Sequence, residues 1–306
     1  MFNTPILFLV FNRPATTKKV FAQIRKIQPA FLYIAADGPR LDKPGEDAIC
    51  AEVKKSILSN IDWDCEVKTL FRKENLGCGK AVSQAITWFF ENVEEGIILE
   101  DDCLPDLSFF PFCEELLARY RTDDIVMSIS GSNLLGCTTE KNNNSYFWGQ
   151  GGIWGWATWK RAWKLYDYSM EGWKDEKVKN KIRSAIQTEE WFQFYYPMFE
   201  ASVNGTLNTW DVQWFYTILY NGGLSINPRV NLVKNIGFGT NATHTLNLSS
   251  PISKIPTKSV SFPLNHPNHR IIDIDQLHLM YKSIQPYNSE KVNILKRILK
   301  LFLSNL

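Results

Sequence analysis

The chain has 306 residues, 44% of them hydrophobic and 22% charged, with a formal net charge of +2 at pH 7. That is the composition of an ordinary folded protein, long enough for one large domain or two small ones, and so balanced a charge gives no global case for nucleic acid or acidic partners. No apolar run of about 18 residues exists to span a membrane. The 6 cysteines form no C-x-x-C pair, so they fit a reducing cytoplasm better than a disulfide framework or a zinc site.

Pro5 to Phe11 has no basic stretch before it and reads as a buried strand rather than a signal peptide. Pro14 is well placed to open a helix whose apolar stripe is Val20, Phe21, Ile24 and Ile27. Phe31 to Ala36 is the next strand and ends in Asp37-Gly38-Pro39-Arg40. Strand, helix, strand implies a right-handed parallel unit, which puts Asp37 at the sheet edge where such folds bind ligands. As a residue before glycine, Asp37 also fits a plain turn. Residues 45 to 59 read as a helix and Cys65 to Phe71 as a strand. Glu74 to Lys80 then leads into a helix carrying Val82, Ala85, Ile86 and Phe89 on one face. Gly77, Gly79 and Lys80 would suit a phosphate at that helix start, but P-loop spacing is absent, and an ordinary helix start is favoured.

Ile97-Ile98-Leu99 runs straight into Glu100-Asp101-Asp102, with Gly96 before and Pro105 after. This predicts a buried parallel strand that stops abruptly. Three adjacent carboxylates repel one another unless a cation or donors hold them. Hard oxygen ligands suit Mg²⁺ or Mn²⁺; the plain alternative is a solvated acidic turn. Phe109 to Arg121 is a helix and Ile125 to Ile129 a strand. Trp148 to Trp159 packs four tryptophans and four glycines into twelve residues, equally suited to sugar stacking and to a tight aromatic core.

Residues 174 to 203 read as helical. Thr209-Trp210-Asp211 precedes a helix over Val212 to Tyr220, with Asp211 either a functional acid or a cap. Gly223 to Val233 carries a strand and a turn at Pro228, followed by a glycine-containing loop from Gly237 to His244. Asn241-Ala242-Thr243 fits a glycosylation pattern with no secretion signal to make use of it. Residues 251 to 270 read as a linker or surface strap. Residues 288 to 306 read as a basic amphipathic helix that docks either on its own domain or on a membrane surface. The organisation expected is 1–130 and 131–250 as the halves of one domain, 251–285 as a linker or strap, and 286–306 as the amphipathic helix.

Taken together, these motifs resemble GT-A-fold, nucleotide-sugar-dependent glycosyltransferases, most of all the N-acetylglucosaminyltransferase I type and its bacterial relatives, over residues 5 to 246. The resemblance rests on Ile97 to Asp102 followed by Pro105 to Phe110, on Trp210-Asp211, and on Asn227 to Val230 through Gly237-Phe238-Gly239 to His244. It implies a Rossmann-like, mostly parallel mixed sheet flanked by helices. It also implies a metal-dependent inverting transfer from a nucleoside-diphosphate sugar, a UDP-sugar first, to a glycan or lipid-linked glycan. Carried over, Asp102 and His244 would hold Mn²⁺ or Mg²⁺, Asp101 and Glu100 would contact ribose or donor sugar, Asp37 would read the nucleobase, Arg13 would lie near the nucleotide, and Asp211 would be the general base. The disulfides and membrane anchor of the Golgi enzymes are absent, and the tryptophan-rich stretch does not align. A bacterial surface-glycan role at the cytoplasmic side of the plasma membrane follows by analogy. Two alternatives stand beside this reading. One is a sugar-phosphate nucleotidyltransferase, although Phe11 to Pro14 lacks the expected glycines. The other is a non-catalytic carbohydrate binder using the tryptophan-rich surface.

Overall fold

The computed structural model describes residues 1–138, 143–238 and 251–284. Its first third alternates strand and helix: β1 (Ile6–Val10), α1 (Pro14–Ile27), β2 (Phe31–Ala36), α2 (Glu46–Leu58), β3 (Glu66–Phe71), α3 (Gly77–Asn92) and β4 (Glu95–Glu100). β5 (Cys103–Pro105), α4 (Phe109–Arg119), β6 (Val126–Ser130), β7 (Tyr146–Gly149), β8 (Trp156–Trp159) and α5 (Lys160–Trp163) follow. The chain continues through α6 (Glu176–Ile186), α7 (Glu189–Val203), α8 (Asp211–Tyr220), β9 (Leu224–Pro228) and β10 (Val233–Asn235).

Eight strands form one Rossmann-like mixed sheet in the order β3-β2-β1-β4-β8-β6-β9-β7, and β5 and β10 form a separate two-stranded ribbon. β3, β2, β1 and β4 are parallel, as are β6 and β9, while β8 and β7 run antiparallel to their neighbours. Both faces are covered, which is why β1 and β4 read as unbroken apolar runs. The period-2 pleat still sorts their side chains. Ile6, Phe8, Ile97 and Leu99 pack with α1, α2 and α4, whereas Leu7, Leu9 and Ile98 pack with α3 and α8. Glu100 shares its side with Ile98, so the last residue of β4 faces the α3/α8 layer.

One expectation changes here, and two open alternatives are decided. The helical stretch over 174–203 is two helices, because Gln187 adopts a left-handed backbone (φ 59°) and Thr188 is extended. The segment from 251 onward is no free linker. It straps the domain, inserts Leu264 into the sheet core, and ends in a helix over 274–284 that buries Leu277, Met280 and Ile284 against α6–α8. Buried Arg229 holds it through Asp273 at 3.0 Å. The tryptophan-rich stretch is mostly core, with Trp148, Trp156 and Trp159 each no more than 2% exposed. A carbohydrate-binding surface made of those three rings is therefore ruled out.

Trp156 sits at the centre of that aromatic packing, stacked on Trp210 at 5.5 Å and tilted against Trp214 at 5.6 Å and Trp163 at 6.2 Å. Trp156→Ala is expected to cost about 3–5 kcal/mol, the range for emptying a large aromatic site, as read by denaturant unfolding. A loss below ~1 kcal/mol would mean that the cluster does not hold Trp210 in place. Residues 288–306, read above as a basic amphipathic helix, lie outside the described residues. Among the described residues no helix is long and apolar enough to cross a membrane.

Candidate active site

β4 delivers Glu100, Asp101 and Asp102 to the carboxyl edge of the sheet, next to the end of β1. The chain leaving β1 places Arg13 just ahead of α1. Its Nη1 donates to Asp102 Oδ2 at 2.7 Å and to Asp101 Oδ1 at 3.4 Å. Burial works against the Arg13 charge, but Asp101 and Asp102 outweigh it and hold the guanidinium above its ordinary value. Asp101 is buried, while Glu100 and Asp102 are half-buried. Burial, then Asp102, pushes the Asp101 carboxyl up against the pull of Arg13 and the Phe11 N–H. Glu100 is pushed up by burial first, and then by Asp102, Asp101 and Asp211. Among these groups one arginine faces several acids, so the cluster has an unmet demand for positive charge.

Asp211 is distant in sequence yet close enough to act on Glu100. It is the first residue of α8, and Trp210 holds the cap position without a side-chain cap bond. The Asp211 carboxylate instead accepts from the Thr209 hydroxyl. As an acid in the first turn of α8, Asp211 also suits the helix start. The turn before it is docked on α3: the Gly79 N–H donates to Asn208 Oδ1 at 2.9 Å. A Cβ on Gly79 would meet Thr209 O, the Tyr168 hydroxyl and Asn208 Oδ1 at 2.7–2.8 Å, so only glycine permits this approach. The first turn of α3 also carries Cys78. Burial, then Glu100 and Asp211, pushes its thiol up to about 12, which keeps it protonated among the acids. Neither Cys78 nor Asn208 carried a readable signal in the sequence, since each belongs to the site only through the docking of α3 on the turn before α8.

Asp37 lies at the same edge, but its carboxylate is engaged by the backbone. It accepts from Gly38 N at 2.9 Å, Leu76 N at 3.0 Å and Gly77 N at 3.0 Å. It ties the end of β2 to the start of α3. With Gly77 N held by Asp37 and Gly79 N by Asn208, that helix start is no phosphate cradle.

Glu46, in the first turn of α2, was not singled out from sequence. Only 4% exposed, it accepts from Asn12 Nδ2 at 2.8 Å and Arg40 N at 2.7 Å, and it pairs with the Arg40 guanidinium. It thereby joins the loops leaving β1 and β2. Hydrogen bonding from the Arg40 side chain, outweighing burial and aided by the Arg40 N–H and Asn12, lowers its pKa to about 2. An unfolded glutamate titrates near 4.3. The stabilisation is therefore complete above that value and fades as pH falls toward 2. Glu46→Gln should cost about 1–3 kcal/mol at pH 7, with the gap to wild type shrinking by pH 3 in denaturant unfolding. A gap that does not shrink with acid would show that the charge is not what joins the loops.

β10 pairs with β5, so the chain returns directly beside the acids, with Ile236 N donating to Asp102 O at 2.8 Å. A Cβ on Gly237 would collide with the Asp102 carboxylate. Trp154, half-buried, meets Phe238 edge-on at 6.0 Å. His244 and the Asn241 pattern lie outside the described residues. Among the described residues no three His, Cys, Asp or Glu side chains form a ready cation cage. This donor set still suits Mg²⁺ or Mn²⁺, which bind through one or two carboxylates and complete their shell with substrate phosphates.

No family model and no curated protein matches the chain. Among solved structures, HddC from Yersinia pseudotuberculosis is similar at a TM-score of 0.33 and 10% identity, over 53% of this chain and 78% of that one. A UDP-glucose pyrophosphorylase complexed with UDP-glucose gives 0.30 and 12%, over 53% and 79%. Mouse xyloside xylosyltransferase 1 gives 0.32 and 10%, over 71% and 81%. Similarities this low carry no weight for function, which has to be read from the site.

Proposed function

We propose that the chain is a divalent-cation-dependent, inverting glycosyltransferase that moves a sugar from a nucleoside-diphosphate sugar to a hydroxyl acceptor. The observation that carries this is the pairing of an acid cluster at a strand end, faced by Arg13, with a second, separate carboxylate, Asp211, at a helix start close enough to act on Glu100. Asp102, with His244 from the adjoining segment, would hold the cation, and Glu100 and Asp101 would face the ribose or donor sugar. When bound, the cation supplies charge neutralisation for the diphosphate that leaves. Arg13 adds positive charge beside Asp102. Asp211 takes the proton of the acceptor hydroxyl. The freed oxygen pair forms the new bond to the anomeric carbon, and the old carbon–oxygen bond breaks with its electrons leaving on the nucleoside diphosphate. Attack opposite the leaving group inverts that carbon. Asp37 shapes the nucleotide side by holding the start of α3, and a UDP-sugar is the first donor to try. A place in bacterial surface-glycan synthesis belongs to the same reading by analogy alone.

The test is a thermal-shift and calorimetry panel of nucleoside diphosphates and nucleotide sugars on the full chain, with and without Mn²⁺. At a ligand concentration of about 100 times Kd, binding to the folded form alone adds about 2.7 kcal/mol of stability. Stabilisation by a nucleoside diphosphate only when Mn²⁺ is present is expected. A panel in which no nucleotide binds under either condition would end this reading.

A further inference from the structure

β7 is the last strand of the sheet, so one of its edges has no strand to pair with. The strap covers that edge. Ser145 N donates to Asn265 O at 2.8 Å, Asn265 N to Ser145 Oγ at 2.9 Å, and Asp273 N to Trp148 O at 2.9 Å. Between these ties, half-buried His266 closes a chain of hydrogen bonds that runs in from the end of α4. Arg119 Nε lies 3.4 Å from the Tyr120 hydroxyl, the Tyr120 and Tyr146 hydroxyls lie 2.6 Å apart, and the Tyr146 hydroxyl lies 3.1 Å from His266 Nδ1. On its other side, His266 Nε2 lies 3.2 Å from Glu115 Oε1. Arg270, further along the strap, sits over the Tyr120 ring and pairs with Asp123.

A neutral imidazole satisfies every member of this chain in one arrangement. The Nε2–H donates to Glu115, Tyr146 donates to Nδ1, Tyr120 donates to Tyr146, and Arg119 donates to Tyr120. Protonation makes Nδ1 a donor as well. Tyr146 must then turn its proton toward Tyr120, whose oxygen already faces Arg119, and the Tyr120 proton is left with no acceptor in the chain. Tyr146 is fully buried and Tyr120 only 6% exposed, so bulk water is a poor substitute and the orphaned hydroxyl is costly. Burial and then the Arg119 charge hold the imidazole below its ordinary value, against the pull of Glu115. An unfolded histidine titrates at about 6.5. The contact therefore stabilises fully above that value and weakens as pH falls through it toward the lower folded one. We infer that His266 is a proton-operated latch: mild acid loosens the strap where Ser145 and Asn265 tie it to β7, and uncovers that sheet edge. The latch is independent of the transferase reading, since none of its groups belongs to the acid site.

The test is amide hydrogen exchange on the full chain, followed by NMR from about pH 8 to about pH 5, the window in which histidine changes charge. After correction for the intrinsic exchange rate, protection of the Ser145 and Asn265 amides should fall about tenfold or more, a change of ~1.4 kcal/mol. Phe8, in the middle of β1, should keep its protection, which separates a loosened strap from an acid-unfolded chain. His266→Gln can still accept from Tyr146 and donate to Glu115 but takes up no proton, so it should remove the acid effect. Glu115→Gln takes away the charge that favours the imidazolium and should move the effect to lower pH. Glu115 is partly exposed, so this variant decides the matter if His266→Gln does not fold. Unchanged protection in acid, a loss shared equally by Phe8, an equal loss in folded His266→Gln, or an effect that Glu115→Gln leaves at the same pH would each overturn the latch.

Discussion

Asp211→Asn should slow glycosyl transfer by about 10²–10⁴-fold, the loss expected when a positioned acid–base group is removed, with donor and cation affinity nearly unchanged. The amide keeps the size of the carboxylate and can still accept from the Thr209 hydroxyl, so the turn at the start of α8 should hold. Only the ability to take a proton is lost. The measurement is turnover with a true acceptor beside donor affinity, on wild type and variant. Near-normal turnover in a folded variant would remove Asp211 from the mechanism and send the search to Glu100.

Asp102→Asn should weaken cation-dependent nucleoside diphosphate binding by more than the roughly 10–100-fold that even supporting residues of a metal site cost. The fold should survive. The amide oxygen can still accept from Arg13, and the close approach of Gly237 needs only the same shape. The substitution also relieves Glu100 and Asp101 of the charge that helps to raise both their pKa values. Binding and stability are thus expected to part ways: a large loss of Mn²⁺-dependent affinity by calorimetry, with little change in the unfolding of the ligand-free chain. Unchanged affinity would show that Asp102 serves Arg13 and no cation.

The acid triplet was legible in sequence because strand, glycine and proline signals are local, and an apolar run meeting three carboxylates leaves few other placements. The tryptophan-rich stretch could not be read the same way. Burial of Trp148, Trp156 and Trp159 depends on β8 inserting antiparallel between β4 and β6 and on β7 closing the sheet. No local pattern encodes either pairing. Asp37 is a third case: its position at the sheet edge followed from the strand before it, while its engagement by Leu76 and Gly77 followed from the docking of α3.

Sequence by itself therefore determined the alternation β1-α1-β2, the buried strand β4, and the presence of Glu100, Asp101 and Asp102 at its end. Hydrophobic period and turn chemistry act over a few residues, and those elements express them directly. Only the tertiary structure decided that Asp211 and Cys78 stand beside Glu100, that Glu46 joins the first two loops, and that Tyr195 and Phe199 of α7 pack on Phe215 of α8. Those are contacts between segments far apart in the chain. They exist because the pleat turns Glu100 toward the α3/α8 layer and because the close approach at Gly79 brings the turn before α8 onto α3.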